Sequence, residues 1–348
     1  MKARKQFNVI AGHGLPISAT CDAFLCAIYR DHPELREETA YFPGQGDLAY
    51  TVFIGDLVFK SPRFDNIRGK DKERGLQQRR EAFAREFKVI DHLHDAGLPM
   101  TQAVGHGDDP AYYCMRRNTG IQLDPDDVDK MTAGEKRQIA KDLAGFMVGF
   151  AKAISAEDAK KLNFPDNALS PEYPPSAELK DFLASPAVAE VFEDNLSFCR
   201  QVIAGYEAAC RDQPMVASHG DLHSGNILYD PKTKRIDGKI GAVIDFGLCR
   251  YLHPAKDCYQ LCQDYKDDFI SMLCDEYSKT SDRKLTLKDV KIHSCAIRIS
   301  QVKDCLESKD REMWNRIPKL LELIASMKED LAEPVAELKK TPAKKHDL

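Results

Sequence analysis

Two stretches of the chain place residues that could do chemistry at spacings that matter. The first, MVASHGDLHSGNILYD at 215 to 230, sets Asp221 and Asn226 with His219 and His223 in a polar loop between the apolar runs MVA and IL. The second, KIGAVIDFG at 239 to 247, carries a short apolar run that ends on Asp245 and a glycine. A carboxylate at the end of a buried strand is costly unless it is paired or holds a cation. Asparagine and aspartate offer hard oxygen atoms suited to Mg2+, which takes few protein ligands and shares its other positions with water and phosphate. A further aspartate in the same loop can orient an attacking hydroxyl, and these are the parts that phosphoryl transfer requires. Each segment alone also reads as a polar turn or a helix cap. In this order, joined by a strand-turn-strand pattern, they read as one site.

The run HGDLHSGNIL followed by VIDFG resembles the catalytic core of the superfamily of aminoglycoside phosphotransferases, choline kinases and homoserine kinases, which shares its fold with protein kinases. The resemblance implies that Asp221 is the catalytic base or hydroxyl-orienting residue, that Asn226 and Asp245 hold the metal, and that His219 supports the loop. It continues in HPAKDCYQL, residues 253 to 261, which is similar to the family's DPAxDLA segment and matches Asp257 to its buried aspartate. Two departures stand out: His253 occupies the usual first acidic position, and DFGLC replaces the DxxD of many antibiotic kinases. An antibiotic substrate is therefore not implied.

With metal and base in the second part of the chain, the first part must hold the nucleotide. A Gly-rich loop, a strand lysine and a helix glutamate are expected there, in that order. PGQGD supplies Gly44 and Gly46, without a full GxGxxG and with a plain hairpin turn as the rival reading. LVFKSP puts Lys60 at the end of a strand, and EAFAREFKVIDHLHDAGLP forms the next helix. At about 100° per residue, Glu86 falls within the apolar arc of Phe83, Phe87, Ile90 and Leu93, while Arg85, Lys88, Asp91 and Asp95 lie opposite. A carboxylate on a buried face needs a partner, and Lys60 is the obvious one. The backbone of YCMRR at 113 to 117, with Met115 at its centre, matches the family's hinge for adenine.

The elements that must position these groups follow from periodicity. Residues 16 to 31 form an amphipathic helix, and strands are expected at 39 to 42, 49 to 54, 56 to 60, 102 to 106 and 111 to 116. The basic stretch 61 to 80 reads as an exposed connection into a helix over 77 to 96. A capping box, TAGE at 132 to 135, opens a helix that ends near Ile154, and further helices are expected at 177 to 184, 187 to 211, 255 to 278, 287 to 307 and 311 to 338. The fold class is α+β: a bilobal protein-kinase-like fold with a five-stranded antiparallel sheet lobe over 1 to 117, a mainly helical lobe over 118 to 338 and a polar tail over 339 to 348.

Composition narrows the partners. With 348 residues and a formal charge of -5, the chain offers no general attraction to nucleic acid. No run approaches the roughly 18 apolar residues of a membrane span, and no secretory leader is evident, so a cytoplasmic protein is expected. The 11 cysteines, without a CxxC pair, read as reduced thiols. Cys249, Cys258 and Cys262 around His253 could be drawn as a metal site, but CYQLC has helical spacing and reads as core.

The expected activity is an ATP- and Mg2+-dependent transfer of the γ-phosphate to the hydroxyl of a small molecule. Gly220 stands where protein kinases that depend on activation-loop phosphorylation commonly carry arginine, and His223 where Ser/Thr kinases carry lysine, which favours a small-molecule substrate. On a continuous helix over 255 to 278, Asp257, Asp264, Asp268 and Asp275 would form a narrow acidic stripe. That stripe would suit an amine-bearing alcohol if it reaches the cleft; the bland reading is a solvated face. Two other functions share the motif. Mg-ATP binding without phosphorylation of any small alcohol would mark a pseudokinase scaffold, and transfer to a generic protein substrate would mark an atypical protein kinase.

Overall fold

The computed structural model describes residues 9–11, 19–43, 49–63, 72–108, 111–164, 175–212, 215–308 and 311–331. Gly44 and Gly46 lie outside these residues, as does the tail over 339 to 348. Contacts divide the chain into two compact units, Met1–Phe164 with His219–Arg250, and Pro165–Ser218 with Tyr251–Leu348. In this division by contacts, 118 to 164 and 219 to 250 group with the sheet.

The first unit begins with β1 (Val9–Ala11), α1 (Ala19–Asp31), β2 (Ala40–Phe42), β3 (Ala49–Ile54) and β4 (Leu57–Pro62). Then come α2 (Lys72–His92), β5 (Ala103–Asp108) and β6 (Ala111–Arg116). The sheet order is β1-β2-β3-β4-β6-β5. The five expected strands are antiparallel neighbours, and β1 adds a sixth, parallel to β2. Three residues are too few for an alternating pattern to show in sequence.

Alternation along the central strands decides what faces what. Phe59, Tyr112 and Cys114 point into a cluster with Phe24, Leu25 and Ile28 of α1. The intervening Lys60 and Tyr113, paired across β4 and β6, face the other way. Lys60 therefore stands inside a central strand rather than at its end. α2 begins at Lys72, five residues earlier than the apolar period indicates. Its first turns are polar but rich in good helix formers, with Gln77 donating to Glu81 at 2.7 Å.

The first unit continues with β7 (Ile121–Gln122), α3 (Pro125–Lys130), α4 (Ala133–Ala153) and α5 (Ala156–Lys161). The capping box is formed: the Thr132 side chain accepts from the Glu135 amide at 3.3 Å, and the Glu135 carboxylate accepts from the Thr132 amide at 2.8 Å. The chain then forms α6 (Ser176–Ala184), α7 (Pro186–Phe192), α8 (Leu196–Asp212) and β8 (Val216–Ser218) in the second unit. It returns to the first for β9 (Ile227–Tyr229) and β10 (Ala242–Val243), a hairpin extended by β7. After β11 (Arg250–Leu252) it completes the second unit with α9 (Pro254–Asp257), α10 (Leu261–Asp264), α11 (Asp267–Thr280), α12 (Leu287–Glu307), α13 (Arg311–Trp314) and α14 (Ile317–Leu331).

The expected helix over 255 to 278 is thus three helices, α9, α10 and α11. The breaks remove the common axis that placed four aspartates on one stripe. Asp257 is buried, Asp264 is half-buried, and Asp268 and Asp275 are exposed. None of the described helices is long and apolar enough to cross a membrane. The cysteines recorded among the described residues are free, and no group of three or more described His, Cys, Asp and Glu side chains is placed to hold a metal. Cys249 and Cys258 are instead fully buried.

In the second unit, α12 is packed by α8 and α14 around Cys199, Ile203, Cys295 and Ile299. It also buries His293, whose ring stacks on His253 at 4.3 Å. Burial keeps both rings neutral, pushing His253 down to about 4 and His293 well below the usual histidine value. In the unfolded chain His253 protonates near 6.5, so acidification from there to about 4 loads protons onto the unfolded state alone. Stability should therefore fall as pH drops through that window, by on the order of 3 kcal/mol for His253. His253→Asn keeps an acceptor for the Ala255 amide, which His253 Nδ1 now takes at 3.1 Å. Unfolding followed from pH 7 to 4 should show a shallower loss in this variant. An unchanged slope would show that His253 does not titrate on unfolding.

Candidate active site

Lys60 and Glu86 meet as expected. The Lys60 ammonium donates to both carboxylate oxygens of Glu86, at 2.8 and 3.0 Å, and both side chains are buried. Asp245 lies 3.5 Å from the same ammonium. Burial penalises both charges of the pair. Against it, Glu86 and Asp245 together raise the Lys60 ammonium above its ordinary range, whereas the single ammonium does not fully restore the Glu86 carboxylate, which burial lifts. Tyr113, across the sheet from Lys60, presents its ring 6.0 Å from the ammonium. Burial and the charge of Glu86 push its phenol well above the usual value.

The loop over 219 to 226 is held by main-chain contacts. His219 is fully buried, with its Nε2 2.9 Å from the Ile244 carbonyl, and its Nδ1 accepts from the Asp221 amide at 3.3 Å. That pairing assigns the proton to Nε2 and ties the loop to the strand that leads to Asp245. Gly220 has a φ of +80°, and a Cβ there would stand 2.1 Å from the Leu248 carbonyl oxygen. Only glycine fits. Asn226 donates from Nδ2 to the Asp221 carbonyl at 2.9 Å, and its own carbonyl accepts from Ile244 at 3.0 Å. His223 caps the turn Ser224–Asn226 by accepting from the Gly225 amide at 3.0 Å. Its other nitrogen lies 3.9 Å from the Asp221 carboxylate.

Asp245 has a φ of +70°, left-handed backbone that is uncommon outside glycine. Such a residue stores about 1–3 kcal/mol, which surrounding contacts must hold in place. Phe246 supplies one, stacking on Phe150 of α4 at 5.9 Å. Burial opposes ionisation of Asp245, but the Lys60 ammonium beside it outweighs this and holds the carboxyl below the usual range. The carboxylate is 45% exposed, so it faces a cleft rather than the core.

That cleft is a cavity of about 570 Å³ whose lining includes Lys60, Glu86, Asp221, His223, Asn226 and Asp245. Arg79 and Gln122 also line it; sequence reasoning missed both, since polar residues on a helix and a two-residue strand carry no periodic signal. Arg85 was expected on the solvent side of α2 and is instead buried, donating to the carbonyls of Gly247 at 2.6 Å and Asn163 at 3.0 Å. The apolar arc could not show this, because the partners are main-chain atoms from distant segments. Met115 is buried in β6 opposite Val58. Asp257, Asp264 and Asp268 belong to the second unit.

The donor set suits a hard divalent cation. Asn226 spends its amide nitrogen on the loop, which leaves its side-chain oxygen as the atom a cation could use, and the Asp245 carboxylate is ionised and lines the same cavity.

Comparison with known proteins agrees with this geometry. Residues 63–285 match the model of the phosphotransferase enzyme family, APH. No curated protein sequence matches. Among solved structures, the GDP complex of wild-type aminoglycoside 2'-phosphotransferase-IIIa is 20% identical, with a TM-score of 0.69 over 88% of this chain and 98% of that one. The ADP-bound aminoglycoside phosphotransferase APH(2'')-Ib is 19% identical, with a TM-score of 0.60 over 86% and 98%. These likenesses show the fold, an α+β architecture of the protein-kinase-like kind. The family model spans well over half of the chain, including the segments 215 to 230 and 239 to 247, and the chain belongs to the phosphotransferase enzyme family.

Proposed function

We propose that this protein is an ATP-dependent small-molecule kinase that transfers the γ-phosphate to a substrate hydroxyl. The observation that carries the reading is the convergence of the Lys60–Glu86 pair, Asp221, Asn226 and Asp245 on one cavity of about 570 Å³. That volume is in the range of ligand sites.

In this reading Glu86 holds the Lys60 ammonium against the nucleotide phosphates, and Asn226 and Asp245 bind Mg2+. The ion would supply charge neutralisation on the phosphates when bound. Asp221 accepts a hydrogen bond from the substrate hydroxyl and aligns it for in-line attack. His219 keeps Asp221 and the strand before Asp245 in register. Most of the acceleration then comes from positioning and electrostatic stabilisation.

The test is a transfer assay on the purified full chain. Mg-ATP and Mg-GTP are supplied against amino sugars, choline-like alcohols, homoserine and nucleosides, with the phosphorylated product read by 31P NMR. The related structures with kanamycin and with streptomycin put amine-bearing alcohols first in that panel. Tight nucleotide binding with no phosphorylated alcohol would replace this reading by a scaffold. Transfer confined to protein would replace it by a protein kinase.

A further inference from the structure

We propose that Arg85 is a positioning residue for Asp245, fixing the metal-binding carboxylate to the same helix that fixes the nucleotide lysine. The inference rests on the site reading above. Its first observation is burial: Arg85 is 5% exposed, although the apolar arc of α2 leaves it on the polar side. A guanidinium removed from water must find partners. Those it has among the described residues are two main-chain carbonyls, Gly247 at 2.6 Å and Asn163 at 3.0 Å.

Both acceptors sit at unusual backbone. Gly247 closes the Asp-Phe-Gly turn that Asp245 opens in left-handed conformation, and Asn163 itself has a φ of +59°. Asn163 turns its carbonyl to the Arg85 Nε, so the second anchor is also built rather than incidental. On its other side, the turn is held through Ile244, whose amide donates to Asn226 and whose carbonyl lies 2.9 Å from His219 Nε2. Arg85 thus closes a clamp: it holds the chain after the strained residue, at Gly247, while His219 and Asn226 hold the chain before it, at Ile244. The contact is close: a Cβ on Gly247 would lie 3.5 Å from the Ala82 carbonyl of α2.

Adjacent residues of one helix therefore reach in different directions. Glu86 reaches the sheet through Lys60, and Arg85 reaches the Asp-Phe-Gly turn. Any shift of α2 along its axis changes both the phosphate-binding lysine and the metal-binding aspartate. Partners that orient a metal ligand typically contribute 10–100-fold to metal affinity, and that is the scale expected here.

The test uses the full chain with ADP, and Mn2+ as the probe, its binding followed by electron paramagnetic resonance. Arg85→Met keeps the length of the side chain and removes every donor. Mn2+ affinity in the ADP complex should fall about 10-fold or more, while ADP affinity without metal stays unchanged. Arg85→Lys restores a cation that reaches one carbonyl at a time, and it should recover part of the loss. A merely structural arginine would lower the melting temperature of both variants and leave Mn2+ affinity as in the wild type; that result overturns the proposal. If Arg85→Met does not fold, Arg85→Lys decides alone, because unchanged Mn2+ affinity in it has the same meaning. Absence of Mn2+ binding by the wild-type ADP complex would overturn the site reading itself. Wild-type binding with unaffected variants would overturn only the role of Arg85.

Discussion

Replacing Asp221 by asparagine is expected to cut kcat by roughly 10³-fold, within the range that a positioned acid or base supplies. The substitution is clean because the loop is held by the main chain of this residue. Its amide donates to His219 and its carbonyl accepts from Asn226, and both contacts survive the change of side chain. Nucleotide affinity and unfolding free energy should stay close to wild type, the latter within about 0.5 kcal/mol as for substitutions that break no buried network. Steady-state transfer to the identified alcohol, with nucleotide binding by calorimetry and urea unfolding as controls, separates the outcomes. Undiminished turnover in Asp221→Asn would remove this carboxylate from the mechanism.

Glu86→Ala is expected to be the most damaging change to the fold of the first unit. Removing one member of a buried ion pair leaves the other charge uncompensated, at a cost of about 3–5 kcal/mol. Lys60 is 9% exposed, and without Glu86 its nearest acid is Asp245 at 3.5 Å. The stranded ammonium should then lean on Asp245, drawing on the carboxylate assigned to the metal. Glu86→Gln keeps an oxygen acceptor and should cost less. Urea unfolding of the two variants measures the difference, and equal, small losses from both would show that the pair is weakly coupled. Lys60→Met with Glu86→Leu should be milder than Glu86→Ala alone, since an apolar pair removes both desolvation penalties.

The parts of the site legible in sequence are those where a charged residue breaks an apolar pattern. Asp245 at the end of VID and Glu86 within the arc of Phe83, Phe87 and Ile90 both announce a charge that needs a partner, and the structure gives each one. Lys60 was legible from its order, at a strand before the helix with the buried glutamate, and the structure sets it inside β4 on the face away from the Phe59 cluster. Arg85 was not legible. Its partners are carbonyls contributed by Gly247 and Asn163, and main-chain acceptors have no sequence signature. The acidic stripe failed for a related reason: the spacing of its aspartates has meaning only along an unbroken axis, and Tyr265 and Lys266 interrupt it between α10 and α11. The short strands β1 and β7 were lost to length, being held by pairing rather than by propensity.

Gly220 bears on how such an enzyme could be governed. In protein kinases that wait for a modification, an arginine at this point reads a phosphate added elsewhere in the chain, and the catalytic loop is completed only on that signal. Here the Leu248 carbonyl occupies the space that any side chain would need, and the backbone is turned to a φ of +80°. The loop carries its order in its own covalent geometry. An arginine switch of that kind has no room at this position.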